Sequence, residues 1–154
     1  LDFIDIPSRM RHNNSNKFES RWSQVKIKDT NIFTKGLNGL EYGIWSSHGE
    51  GKFDFINKEN SNDIIHNRND INFMNYIDIN SKETEHYPEN PNGSIHGICG
   101  INSNNGRHLA LMPHPERCYY QWQIPYLKNK QFEITPWYLF FKNAYNWCKN
   151  INQM

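Results

Sequence analysis

Polar and apolar residues alternate along Val25-Lys26-Ile27-Lys28, the period-two pattern of a strand with one buried face. The turn residues Gly36-Leu37-Asn38-Gly39 follow. Glu41-Tyr42-Gly43-Ile44-Trp45-Ser46-Ser47 then reads as a second strand, running into His48-Gly49-Glu50-Gly51. Lys52-Phe53-Asp54-Phe55-Ile56 alternates again and predicts a third. Residues 57–72 are polar and rich in Asn, the pattern of a poorly packed helix or a surface excursion. Met74–Asp78 is a short strand candidate, and Tyr87–Ser94, with its prolines and glycine, a rigid turn-rich loop. Ile95–Ile101 predicts a strand, Asn104-Asn105-Gly106 a hairpin turn, and His108–Met112 the return strand, ending on Pro113-His114-Pro115-Glu116-Arg117. Thr135-Pro136-Trp137 opens a helix, with Thr135 as N-cap and Pro136 at the first helical position, where its missing N–H costs nothing. Trp137, Phe140, Phe141, Ala144, Trp147 and Cys148 recur at helical spacing and predict its buried face. There is no internal repeat and no linker, so the 154 residues read as one mixed α/β unit.

Composition changes this picture little. Aromatics are 14% of the chain, so a core can be built from large rings although aliphatics are modest. The formal charge of +1 carries no footprint for nucleic acid. No apolar run approaches the roughly 20 residues that span a bilayer, and no secretory leader pattern opens the chain. Three cysteines, Cys99, Cys118 and Cys148, have no metal-like spacing and read as reduced thiols of a cytoplasmic protein. The many Asn residues read as compositional bias on loops and surfaces. A chain that begins at Leu1, already inside a patterned segment, reads as part of something longer.

Two short segments could carry chemistry. A residue before proline is pushed into extended geometry, so His114 is expected extended, and in an extended segment residues two apart point to the same side. His114 and Glu116 then face one pocket, as an imidazole base and the carboxylate that orients it; the bland alternative is an exposed turn whose two side chains merely pair. His48-Gly49-Glu50-Gly51 repeats that spacing. It is either a turn with a surface ion pair, nearly worthless energetically, or a loop whose bared backbone groups hold a small polar ligand. The seven histidines lack the spacing of a metal site. Cys99, in Gly97-Ile98-Cys99-Gly100, loosely suggests a nucleophile elbow. An elbow needs a strand, a sharp turn and a helix N-terminus, whereas Cys99 lies inside a predicted strand and reads as a small buried hydrophobe.

Taken together, the motifs resemble the formylglycinamide ribonucleotide amidotransferases (phosphoribosylformylglycinamidine synthases). Arg11-His12-Asn13-Asn14-Ser15 with Phe18-Glu19-Ser20-Arg21-Trp22 is similar to the family's segment after its nucleophile elbow. His48-Gly49-Glu50-Gly51 resembles its H-G-E-G loop, Tyr87–Ser94 its Y-P-x-N-P-N-G-S loop, and Met112-Pro113-His114-Pro115-Glu116-Arg117 its triad segment. The Thr135–Trp147 helix is similar to its terminal helix. The match runs in order from about Pro7 onward. H-P-E alone is weak; the combination is specific, and it separates this family from amidotransferases feeding GMP or carbamoyl phosphate synthesis.

The resemblance implies an α/β, flavodoxin-like class I glutamine amidotransferase domain with a mainly parallel sheet. Residues 1–154 would be the C-terminal portion of that domain, with the family's G-V-C-N-G-C-Q-type elbow lying upstream. It implies His114 and Glu116 as catalytic residues and Ser47, His48, Gly49 and Glu50 as contacts to glutamine. It implies no cofactor or metal in this segment, and ATP and magnesium in a partner synthetase domain that receives the ammonia. A non-catalytic, amidotransferase-like docking domain is the alternative.

Overall fold

The computed structural model describes residues 7–28, 31–56, 67–68, 70–126 and 133–151. Most of the predicted excursion at 57–72, residues 57–66 and 69, lies outside them. Seven strands are described: β1 (Ser8–Arg11), β2 (Glu19–Ile27), β3 (Glu41–His48), β4 (Lys52–Phe55), β5 (Asn72–Tyr76), β6 (Ile98–Asn102) and β7 (Leu109–Leu111). They are followed by one helix, α1 (Trp137–Ile151). β1 and β4 form a two-stranded ribbon, and the others a five-stranded sheet in the order β3-β2-β5-β6-β7.

Every ladder among these strands is antiparallel, whereas the resemblance implied a mainly parallel sheet. Parallel neighbours need a long crossover, usually helical. The described connection between β6 and β7 is instead the predicted hairpin, closed by the Gly106 N–H on the Ser103 carbonyl at 2.7 Å. The described residues therefore form a curled antiparallel sheet with the α1 helix on it.

The alternation in β2 and β3 sets the core. β2 buries Glu19, Ser23, Val25 and Ile27 on one face, and Val25 stands between Tyr42 of β3 and Tyr76 of β5. β5 and β6 are buried at every position, as expected of strands covered on both faces. On one face Val25, Ile27, Ile44, Tyr76 and Cys118 pack with Trp137 and Phe140 of α1. On the other, Phe53 and Phe55 of β4 pack with Ile98 and Ile101 of β6.

Three sequence expectations shift in detail. The strand predicted from Ile95 begins at Ile98, because His96 (φ 51°) and Gly97 (φ 69°) take left-handed backbone and close a 3-10 turn over Ile95–Gly97. On α1, Trp137 and Phe140 are buried as predicted and Ala144 and Trp147 half-buried, but Phe141 and Cys148 are exposed. The helix docks by its first turns: the Trp137 indole N–H donates to the Gly43 carbonyl at 2.8 Å. The Thr135 hydroxyl caps it, accepting the Trp137 amide at 3.2 Å and donating to the Cys118 carbonyl at 2.6 Å. Finally, many Asn residues lie at the surface as expected, among them Asn14, Asn16, Asn38, Asn80, Asn104, Asn105 and Asn146, but not all do. Asn13, Asn72, Asn75, Asn90, Asn92 and Asn102 are all buried.

Candidate active site

β3 positions the first half of the site. The His114 amide donates to the Trp45 carbonyl at 2.7 Å, an isolated antiparallel bridge that lays Pro113-His114 against the strand. Trp45 is itself fixed edge-on to Trp22, its indole N–H donating to the Gln123 carbonyl at 2.8 Å. His114 has the near-extended backbone that a following proline imposes (φ −109°, ψ 89°). Pro115–Arg117 then coil into a 3-10 turn, so Glu116 reaches back around a turn and not along an extended strand. The expected pairing still forms: His114 Nδ1 lies 2.7 Å from Glu116 Oε1. A carboxylate accepts only, so the proton belongs on Nδ1 and Nε2 presents its lone pair.

The other predicted residues sit at the end of β3 and in the loop to β4. Ser47 is half-buried opposite Ser20. The His48 ring lies 6.0 Å from the His114 ring, centroid to centroid, tilted by 34°. Gly49 offers its carbonyl to the Asn13 amide at 2.9 Å. Glu50 stands apart from this pair. It is exposed, 3.5 Å from His12 Nε2, in a cleft of about 690 Å³ that Arg9, Arg11 and Lys52 also line. A second cleft of about 410 Å³ lies between Asn14, Lys17, Glu85 and Tyr87. Neither is lined by His114 or Glu116.

Burial lowers the proton affinity of His48, and the neighbouring charges of His114 and Arg117 lower it further. Asn92 faces the ring and acts the other way, less than burial but more than His114 or Arg117, and the Met112 carbonyl adds the smallest push in the same direction. His48 Nε2 is buried, and no hydrogen-bond geometry is satisfied there.

What holds this corner together is a chain of buried polar side chains that sequence reasoning missed. Ser23 Oγ lies 3.3 Å from Ser46 Oγ, which lies 3.3 Å from the Tyr76 hydroxyl. Tyr76 donates to Asn92 Oδ1 at 2.7 Å, and Asn92 Nδ2 donates to Asn13 Oδ1 at 2.8 Å. Asn13 Oδ1 also accepts the Gly51 amide at 3.2 Å, and Asn13 Nδ2 donates to the His48 carbonyl at 2.7 Å. Burial pushes the Tyr76 phenol well above its ordinary pKa, with Cys99 adding to it, so it stays a donor. Arg21 clasps the next loop, bonding Glu19 Oε2, the Pro88 carbonyl at 3.3 Å and the Tyr87 hydroxyl. The available signal was positional: Asn13 and Asn92 lie inside the motifs that carry the resemblance, but composition does not distinguish a buried Asn from a surface one.

None of the thiols has the setting of a nucleophile. Cys99 is buried and donates to the Met74 carbonyl at 3.4 Å, and burial pushes its pKa well above the ordinary value. Cys118 is buried and pushed up to about 12, by burial first. Cys148 is exposed on α1. Among the described residues no three His, Cys, Asp or Glu side chains converge as a metal-binding group. No described helix is long and apolar enough to cross a membrane.

The model of the CobB/CobQ-like glutamine amidotransferase domain matches residues 5–148. The chain belongs to this amidotransferase domain family. Among relatives of the amidotransferase segment, the phosphoribosylformylglycinamidine synthase of Drosophila melanogaster is 45% identical over 150 residues, covering 92% of this chain and 11% of that protein. Those of Dictyostelium discoideum and Homo sapiens are 40% and 39% identical, covering 94% and 90% of this chain and 11% and 10% of theirs. The chain thus spans about a tenth of the length of the curated relatives it matches. The amidotransferase fold is also that of a chain in the structure of PurLQS from Thermotoga maritima, with a TM-score of 0.62 at 21% identity, covering 93% of this chain and 54% of that one.

Proposed function

We propose that this segment supplies the proton-transfer half of a glutaminase site in a phosphoribosylformylglycinamidine synthase. The observation that carries the reading is the His114 Nδ1–Glu116 Oε1 contact of 2.7 Å, anchored on β3, in a chain of the amidotransferase domain family. In this reading a cysteine outside the segment gives its thiol proton to His114 Nε2 as its sulfur attacks the glutamine carboxamide carbon. Collapse of the tetrahedral adduct breaks the C–N bond, and His114 returns the proton to the departing nitrogen, releasing ammonia. Water then hydrolyses the thioester, freeing glutamate and the thiol. Glu116 holds the tautomer and stabilises the imidazolium. Ser47, Gly49 and Glu50, from the loop after β3, are assigned to the α-amino and α-carboxylate groups of glutamine.

The ammonia passes to a synthetase domain that uses ATP and magnesium to convert formylglycinamide ribonucleotide to formylglycinamidine ribonucleotide, a step of purine biosynthesis placed in the cytoplasm. The test compares saturating glutamine with saturating ammonium salt, in the full-length enzyme. His114→Ala is expected to lower the glutamine-dependent rate by about 10²–10⁴-fold and to spare the ammonia-dependent rate. Glu116→Gln is expected to be milder, and the double variant little worse than His114→Ala, since groups acting as one unit are non-additive. Equal loss of both rates, or of neither, overturns the assignment.

A further inference from the structure

The H-G-E-G histidine lies in a socket that a substrate contact would not need. A Cβ built on Gly51 would meet Asn92 Nδ2 at 2.3 Å, His48 Cδ2 at 2.6 Å and His48 Nε2 at 2.7 Å, so the glycine is what admits the ring. The Asn92 amide and the Met112 carbonyl face the same ring, and Asn13 holds the His48 carbonyl at 2.7 Å. Two motif loops and the strand leading to His114 therefore close on one imidazole, 6.0 Å from the His114 ring. Its Nε2 is buried and satisfies no hydrogen-bond geometry, a state that costs stability in a folded protein. Such a residue in a native protein needs an explanation.

We propose that His48 is a positioning residue for His114: wedged between Gly51, Asn92 and the Met112 carbonyl, it fixes where the His114 ring stands as the proton moves. The inference rests on the function proposed above. Without it, His114 is held on that corner in two ways: its main chain bonds the Trp45 carbonyl, the Arg117 amide and the Cys118 thiol, and its ring bonds Glu116. The second is held by a carboxylate that is 53% exposed, and exposed pairs of this kind contribute little. A reacting group misplaced by about 1 Å loses on the order of 10²-fold in rate. A half-buried ring whose Nε2 is shut away from solvent, standing beside His114, supplies what Glu116 does not. The charged or titratable groups that face it are His114 and Arg117; both disfavour a proton on it, so it acts by shape and hydrogen bonding and not as a second acid.

The test uses the full-length enzyme, with the ammonia-dependent rate as the internal reference. His48→Ala is expected to lower the glutamine-dependent kcat by about 10-fold to 100-fold, with KM for glutamine changed less than about three-fold. His48→Asn keeps an amide nitrogen where the ring has Nδ1, so it is expected to recover most of the rate with an unaltered pH profile. His48→Gln places its amide at the Nε2 position and is expected to run at least about five-fold slower than His48→Asn. This Asn–Gln comparison decides the matter even if His48→Ala does not fold. A rise in KM with kcat unchanged would make His48 a glutamine contact and overturn the proposal. So would loss of a limb of the pH profile in His48→Asn, equal rates for Asn and Gln, or parallel loss of the ammonia-dependent rate. If His114→Ala retains the glutamine rate, the proposed function has failed; if His114→Ala loses it and the His48 variants do not, only this inference has.

Discussion

Gly49 and Gly51 share one loop, and neither has left-handed backbone. Their tolerance to a methyl group is therefore a question of space alone. At Gly51 the new Cβ falls inside 3 Å of Asn92 Nδ2 and of two His48 ring atoms. Asn92 cannot give way freely, because it is fully buried and fixed by Tyr76 at 2.7 Å, Asn13 at 2.8 Å and its own amide on Asn90 Oδ1 at 3.2 Å. Overpacking a tight site costs about 1–3 kcal/mol. Breaking the Asn92–Asn13 bond strands a buried partner for about another 1–3 kcal/mol. Gly51→Ala is thus expected to cost on the order of 2–6 kcal/mol, which at about 2–4 °C per kcal/mol lowers Tm by roughly 4–24 °C. At Gly49 the nearest atom is Phe18 Cδ2 at 3.9 Å, an ordinary contact, so Gly49→Ala is expected to shift Tm by less than about 2 °C. Thermal melts of the paired variants give the difference. Hydrogen–deuterium exchange across residues 90–94 localises it, since Gly51→Ala is expected to raise exchange in that loop and Gly49→Ala is not. Equal Tm values for the two would show that the Asn13–Asn92 contact does not govern this corner.

Two further outcomes follow from burial. Iodoacetamide on the native protein is expected to label Cys148 and leave Cys99 and Cys118 unmodified until denaturant is added; glutamine-protectable labelling of Cys99 would contradict its reading as a core residue. The Cys118 pKa is raised on folding from 9.0 to about 12, so its contribution to stability is complete below about pH 9 and is lost as pH rises toward 12. Cys118→Ser is therefore expected to show a shallower fall of the urea midpoint over that window, and an unchanged slope would refute the assignment.

Strand and turn positions were legible where the pattern was local. β3, β4 and the β6–β7 hairpin follow from alternation and from Gly106, and the start of α1 from Thr135-Pro136. The late start of β6 was not, because nothing in Ile95-His96-Gly97 announces that His96 joins the glycine in left-handed backbone. Strand direction was not legible either. It depends on which strands pair, a non-local fact, and the expectation came from a whole-domain resemblance while these strands close by hairpins and antiparallel ladders. The His114–Glu116 pairing was legible although the reasoning behind it was only half right. The proline does hold His114 near-extended, but a 3-10 turn brings Glu116 back.

The buried Asn residues escaped the sequence reading because the property that matters is satisfaction, not polarity. A buried amide costs free energy unless its donors and acceptors are met, and Asn13 meets four groups at once: Lys17, His48, Gly51 and Asn92. Those partners come from three segments far apart in sequence, so no local window contains the evidence. Yet Asn13, His48, Gly51 and Asn92 all lie in segments that carry the resemblance. Asn13 belongs to Arg11–Ser15, His48 and Gly51 to the H-G-E-G loop, and Asn92 to Tyr87–Ser94, each weak as a lone motif. The structure gives a physical reason for their company. Gly51 has no side chain because Asn92 and His48 occupy its space, Asn92 is where it is because Tyr76 and Asn13 hold it, and Asn13 carries the His48 backbone to within reach of the His114 strand. Changing one member therefore disturbs the packing or hydrogen bonding of the others.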